Sequence, residues 1–273
     1  MTRVLSGAVL ILLIVSFVWL ASPAALLALA LVVLSIGSWE LVNLARASGL
    51  HVPLWLPMTG ALTTLATFGV SVSSTGSLSR GAALGIVLMV QMVAILGAGM
   101  ASWAPSAPGS RDALATVSAS LLPSWYLALP LGALLSIRIS EGPSALFLLM
   151  VTVMVSDTAQ YYTGRLAGRR LLAPKISPKK TVEGAAGGVV FGTLAFALAG
   201  AWWLARLPVA LRVLVGLTIV LAGIAGDLFE SMLKRSAGVK DSSAIIPGHG
   251  GILDRIDALL FAGPVYYVVL QYL

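Results

Sequence analysis

A multi-spanning α-helical membrane protein is the fold class this sequence predicts, and three observations predict it. First, 59% of the 273 residues are hydrophobic and only 10% are charged, against about 25% charged in a typical soluble domain. Second, the apolar residues come in long unbroken runs. Such runs suit helices that satisfy their own backbone in lipid, whereas barrel strands would alternate apolar and polar residues. Third, the charges gather in the intervals between the runs.

A span needs about 20 apolar residues. Nine segments qualify: Val4–Leu20, Ala24–Leu44, Val52–Val70, Gly81–Met100, Ala113–Ile137, Ala145–Tyr162, Ala185–Ala205, Val209–Phe229 and Ile252–Tyr272. The first is read as a retained span rather than a cleaved signal peptide. Its apolar run is long for a signal core, and a second span follows at once. Pro123 and Pro130 fall inside the fifth, where a kink or split is expected. No internal repeat is evident. The chain reads as one membrane domain over 1–273, with helices of unassigned role in 1–140 and the chemically equipped helices and loops in 145–273.

Absence of cysteine excludes disulfides and thiolate metal sites. The formal charge of +7 sits in loops between apolar runs, so anionic headgroups or nucleotide phosphates are the expected partners, not nucleic acid. With nine spans, 13 of the 17 Lys and Arg residues share one side with the N-terminus. The positive-inside rule makes that side cytoplasmic and puts the C-terminus outside. The two most basic loops, Arg165–Glu183 and Ser231–Gly251, are separated by two spans and therefore share a side.

Seven of the ten acidic residues, from Asp157 onward, lie at this same border, where acids are costly without a partner or a metal. Asp227 and Glu230 close one span at i, i+3 and share a helix face. Lys234, Arg235 and Lys240 follow as cations suited to phosphate. The run Pro247-Gly248-His249-Gly250-Gly251 offers bare backbone that can approach a phosphate. Asp254 and Asp257 then open the last span, again at i, i+3. Carboxylates at adjoining ends of consecutive helices suit Mg²⁺, which takes one or two carboxylates plus substrate phosphates. The plain alternative is a basic loop with helix-capping acids, and Asp254 near a helix N-terminus is favourable for the dipole alone. The combination argues for chemistry. In the other basic loop, Lys175, Lys179 and Lys180 flank Ser177-Pro178, and contact with anionic lipid explains that loop as well as phosphate chemistry does. Asp157 could simply pair with Arg165 or a nearby lysine. Glu40, late in the second span, reads as a structural hydrogen-bonding group to a neighbouring helix. His249 reads as a group that orders its glycine loop, with general acid as the alternative.

The run Ser231-x-Leu233-Lys234-Arg235-x4-Lys240-Asp241, continued by Pro247-x-His249-Gly250-Gly251-x-x-Asp254-Arg255-x-Asp257, resembles the signature of phosphatidate cytidylyltransferases, also called CDP-diacylglycerol synthases. Lys175–Gly184 and Ser156-Asp157-Thr158 resemble that family too, so the likeness covers about the last 120 residues. Two positions depart from the family pattern. Val182 stands where Trp is usual after Lys-Lys-Thr, and Gln160 precedes Tyr161 where Ala-Tyr is usual.

The resemblance implies attack of a phosphatidic acid phosphate oxygen on the α-phosphorus of CTP, giving CDP-diacylglycerol and pyrophosphate. It implies Mg²⁺ with a second, monovalent cation such as K⁺. Asp227 and Asp254 would be the chief metal ligands, with Asp257 and Asp241 as weaker candidates. Lys179, Lys180, Lys234, Arg235, Lys240 and Arg255 would contact phosphates beside His249, Gly250 and Gly251. The expected setting is a bacterial-type inner membrane, and the chain is compatible with a homodimer. A secondary transporter would place its ionisable groups near the bilayer midplane, on a repeat. A CDP-alcohol phosphatidyltransferase would need a DGxxAR…G…D…D cluster, which this chain lacks. A scaffold would need no acidic pairs.

Overall fold

The computed structural model describes residues 14–70, 80–102, 113–246, 248 and 250–272. Residues 14–20 are helical (α1). They are followed by α2 (Pro23–Ala47), α3 (Trp55–Val70), α4 (Arg80–Ser102), α5 (Ala113–Leu122), a π-helical turn (Pro123–Ala128), α6 (Leu129–Ser140) and α7 (Pro143–Ala167). A short hairpin of β1 (Leu171–Ala173) and β2 (Ser177–Thr181) leads into α8 (Val182–Trp203), α9 (Val209–Ser236) and α10 (Leu253–Gln271). The chain is an all-α polytopic membrane protein, as composition requires.

Among the described residues, five helices are long and apolar enough to cross a membrane: Pro23–Ala47, Leu114–Ser140, Pro143–Ala167, Val182–Trp203 and Val209–Ser236. Five of the nine expected spans are matched in this way. The segment expected from Val4 lies largely outside the described residues. Helix α3 has 16 residues, about 24 Å at 1.5 Å per residue, less than the roughly 30 Å hydrocarbon core. In α4 the apolar stretch is Leu84–Gly97. Helix α10 has 19 residues with Asp254 in its first turn and Pro264 inside. The fifth span does not split at its prolines. Pro123 lacks an N–H, and the helix absorbs this as the π-helical turn and continues to Ser140.

Packing divides the chain into two compact units, neither of them continuous in sequence. One comprises Met1–Ala21, Ser136–Arg235 and Arg255–Leu273; the other comprises Ser22–Leu135 and Ser236–Asp254.

In the first unit, α7 and α8 approach along glycines, as small residues permit in lipid, where no hydrophobic force drives helices together. A Cβ at Gly184 would fall 2.8 Å from the Gln160 carbonyl oxygen and 3.2 Å from Gly164 Cα; at Gly188, 3.1 Å from the Ser156 carbonyl oxygen. Helix α9 meets α8 and α10 in the same manner. A Cβ at Gly216 would fall 2.9 Å from Phe196 Cβ, and one at Gly226 would fall 2.5 Å from the Asp257 carbonyl oxygen. The rings of Phe196 and Tyr266 meet edge to face at 5.7 Å, and those of Phe229 and Phe261 lie 5.5 Å apart.

In the second unit, Leu34, Leu65 and Leu127 are fully buried. Gly37 of α2 lies under Leu127 and Leu253. A polar knot of Gln91, Ser124 and Thr64 joins α4, the π-helical turn and α3. Gln91 donates to Ser124, and Thr64 donates both to Gln91 and to the Gly60 carbonyl. These groups satisfy one another where water is absent.

Candidate active site

The first unit gathers its charges where the ends of α7, β2, α9 and α10 come together. The basic segment expected only as a loop contains the hairpin, in register Leu171↔Thr181 and Ala173↔Ser177. Two caps hold it to α8. Thr181 accepts from the Gly184 amide at 3.1 Å as N-cap. Glu183 Oε2 accepts from the amides of Arg169 and Arg170 at 2.9 and 3.1 Å, fastening the approach to the hairpin. Val182, at the family's usual Trp position, is exposed, and its amide donates to the Arg170 carbonyl.

With the hairpin so placed, Lys180 forms an ion pair with Asp227 of α9. Ser231 Oγ lies 3.5 Å from Asp227 Oδ1. Asp157 and Asp257 both lie within Coulombic range of Asp227. Lys180 faces Asp157 in the same way, and Lys234 faces Asp257. Gln160, one of the two departures from the family pattern, donates to Asp157 Oδ1 at 3.1 Å. Arg235 Nε donates to the Ile176 carbonyl at 3.3 Å, tying the end of α9 to the hairpin turn. Glu230 is fully buried and ion-paired to Lys234 one turn on. Asp227 and Glu230 are therefore both salt-bridged, but to different lysines and in different surroundings. Lys175, Lys179 and Arg255 are exposed.

In the second unit the loop after α9 carries Lys240 and Asp241, both exposed. Gly248 and Gly250 adopt φ of +76° and +78°, a region that favours glycine. The Ile246 amide donates to the Gly250 carbonyl at 2.9 Å and closes the turn. His249 lies outside the described residues. Asp254 Oδ2 accepts from the Ser242 amide (3.0 Å), the Ser242 hydroxyl (2.9 Å) and the Gly251 amide (2.8 Å). Asp254 thus faces its own loop. Asp257, one turn later, accepts from the Ala258 amide and belongs to the first unit.

The structural hydrogen-bonding role expected of Glu40 is met by this loop and by the first residue of α10. The carboxylate, wholly buried, accepts from the Ser242 and Ser243 hydroxyls and the Ile252 and Leu253 amides. Its one sequence-level signal was a lone acid inside an apolar run. Among the described residues, no three carboxylate or imidazole side chains converge closely enough to hold one ion. The fit for Mg²⁺ rests instead on donor chemistry. Asp227 and Asp257 are hard oxygen donors within Coulombic range of each other, and such an ion needs only one or two carboxylates when phosphates complete its shell.

Apolar helices bearing carboxylates and lysines at their ends define a polytopic membrane protein with a charged border. The family model described as the cytidylyltransferase family matches residues 1–273, and the chain belongs to that family. It is 46% identical over 132 residues to the phosphatidate cytidylyltransferase of Bacillus subtilis, covering 47% of this chain and 48% of that one. To the protein of the same name from Aquifex aeolicus it is 43% identical over 137 residues, 49% of this chain and 50% of the other. To the uncharacterized protein YnbB of Escherichia coli it is 40% identical over 157 residues, 58% and 51% of the two chains. The chain thus matches about half the length of these relatives.

Proposed function

We propose that this protein transfers a cytidylyl group from CTP to phosphatidic acid, releasing pyrophosphate. The observation that carries the reading is the gathering of Asp157, Asp227 and Asp257 with Lys180 and Lys234, in a chain of the cytidylyltransferase family. A phosphate oxygen of the lipid would bond to the α-phosphorus of CTP as the bond to the β-phosphate breaks. That nucleophile is already an anion and requires no strong base. The chemical task is to bring two polyanions together and to stabilise the leaving pyrophosphate.

Asp227 and Asp257 would hold Mg²⁺, which when bound would neutralise phosphate charge. Asp254 and Asp241 remain ligand candidates, and a monovalent cation such as K⁺ remains a second occupant. Lys180 neutralises Asp227 and would swing to a phosphate on substrate binding. Lys179, exposed beside it on β2, and Arg235 would add contacts to the triphosphate, as would Lys234 and Arg255; Lys240, on the loop of the second unit, remains a candidate phosphate contact. A lipid substrate is supported by an open apolar groove of about 760 Å³ along α7 and α8. Its lining includes Met154, Thr158, Tyr162, Leu166 and Phe191, and Thr158 directly follows Asp157.

The hairpin and the end of α9 would lie on the cytoplasmic side, as the count of basic residues expects, where CTP is available. The test is CDP-diacylglycerol formation by purified protein from CTP and phosphatidic acid, with and without Mg²⁺. Activity should require both substrates and the metal. Equal use of ATP would reject the cytidylyl assignment.

A further inference from the structure

We propose that Glu40, on α2 in the N-terminal half of the chain, is a positioning residue for the loop that carries Lys240, Asp241 and Gly250 and leads into Asp254. The inference rests on the cytidylyltransferase reading for its consequence, but on geometry alone for its existence.

Glu40 is 0% exposed, in an apolar helix. A buried carboxylate costs several kcal/mol unless donors surround it. Four donors do, all from one stretch more than 200 residues away. Oε1 accepts from Ser243 Oγ at 2.6 Å and the Ile252 amide at 3.0 Å. Oε2 accepts from Ser242 Oγ at 3.1 Å and the Leu253 amide at 2.9 Å. Ile252 and Leu253 open α10, so Glu40 also sits at the positive end of that helix and serves as its cap from a distant segment.

The arrangement explains Gly251. A Cβ there would collide with Glu40 Oε1 and Ser242 Oγ, so the second glycine of the Gly250-Gly251 pair is room for this carboxylate. It also explains why the effect reaches Asp254. Ser242 Oγ lies 2.9 Å from Asp254 Oδ2 and 3.1 Å from Glu40 Oε2, so its single proton is shared between the two carboxylates and links them. A residue needed only to fill space on α2 would be apolar. This one sets where the loop backbone and the Asp254 carboxylate stand.

The experiment uses the full-length protein in detergent or nanodiscs, with three variants. Glu40→Gln keeps the shape but puts an NH₂ group where one oxygen accepted from a hydroxyl and an amide. Glu40→Asp keeps the charge and withdraws it. Ser242→Ala removes only the linking hydroxyl. Hydrogen exchange of residues 240–254 is measured beside KM for Mg·CTP, kcat and Tm. For Glu40→Gln, exchange at Ile252 and Leu253 should accelerate at least tenfold, with other spans as protected as before. KM for Mg·CTP should rise about tenfold, more than kcat falls. Glu40→Asp should recover part of this, and Ser242→Ala should raise KM in the same direction.

Unchanged exchange and unchanged KM in Glu40→Gln overturn the proposal, as does a lowered Tm with KM unmoved. Should Glu40→Gln fail to fold, Ser242→Ala decides, and a normal KM there overturns it. If the unsubstituted protein makes no CDP-diacylglycerol, the functional reading has failed. The exchange arm then judges Glu40 alone: protection unchanged between the unsubstituted protein and Glu40→Gln rejects it, and loss confined to 240–254 supports it.

Discussion

Lys180, on the second strand of the hairpin, is ion-paired to Asp227, which follows 47 residues later on α9. A lysine from the basic segment thus occupies the carboxylate for which a metal is proposed. Within the first unit the hairpin and α9 meet through opposite charges, and the lysine keeps the acid neutralised.

Asp227→Asn retains size and removes the charge that a metal and a triphosphate demand. Turnover at saturating Mg²⁺ should fall on the order of a thousandfold or more, the cost of losing a ligand in the transition state. Expression should survive, since Lys180 is only partly buried and can turn to solvent. Asp241→Asn, in the exposed part of the loop, should cost far less. Near-normal rates in Asp227→Asn would move the metal to Asp157 and Asp257.

The Glu230–Lys234 pair should behave differently, because it is buried. Glu230→Gln removes the carboxylate paired directly with the Lys234 ammonium. Breaking a buried pair from one side costs about 3–5 kcal/mol, so Tm should drop markedly. Replacing both residues with Met should restore much of the Tm. Activity should not return with it, since Lys234 is assigned a phosphate contact. Recovery of activity in the double variant would remove Lys234 from the site.

Packing of α7 on α8 can be tested at one atom. Gly184→Ala places a methyl 2.8 Å from the backbone oxygen of Gln160, which cannot move aside alone. Overpacking of this kind costs about 1–3 kcal/mol, and thermal denaturation should register it. Gly85→Ala on α4 meets nothing within 4 Å. It should leave Tm unchanged or raise it slightly, alanine being the better helix former by up to about 1 kcal/mol.

Sidedness is open to direct labelling because the chain has no cysteine. Single cysteines at Pro178 and Ala244, both exposed, should react with an impermeant maleimide only when the cytoplasmic face is accessible. Ser242 would be a poor probe, being buried and committed to Asp254 and Glu40. Labelling of either site from outside would reverse the proposed orientation.

What the sequence by itself determined is the material of the protein. Its helices were legible because apolar runs of span length have no other solution in lipid. The charged border was legible because Lys and Arg are confined to the intervals between runs. The stretch from Ser231 to Asp257 was legible as a charged, glycine-rich segment through residue types at short spacing, which survive any folding of the rest. Tertiary structure decided the partnerships. Nothing within a few positions of Asp227 names Lys180, and nothing near Glu40 names Ser242 or Leu253, since those pairings depend on which helix ends meet. The π-helical turn at Pro123 and the hairpin over Leu171–Thr181 were likewise beyond local reading. One depends on how a long helix absorbs a missing N–H, the other on the caps that Thr181 and Glu183 supply. Spacing along the chain reports what one helix face can present. A buried charge takes its meaning from the donors that another segment brings to it, and only packing brings them.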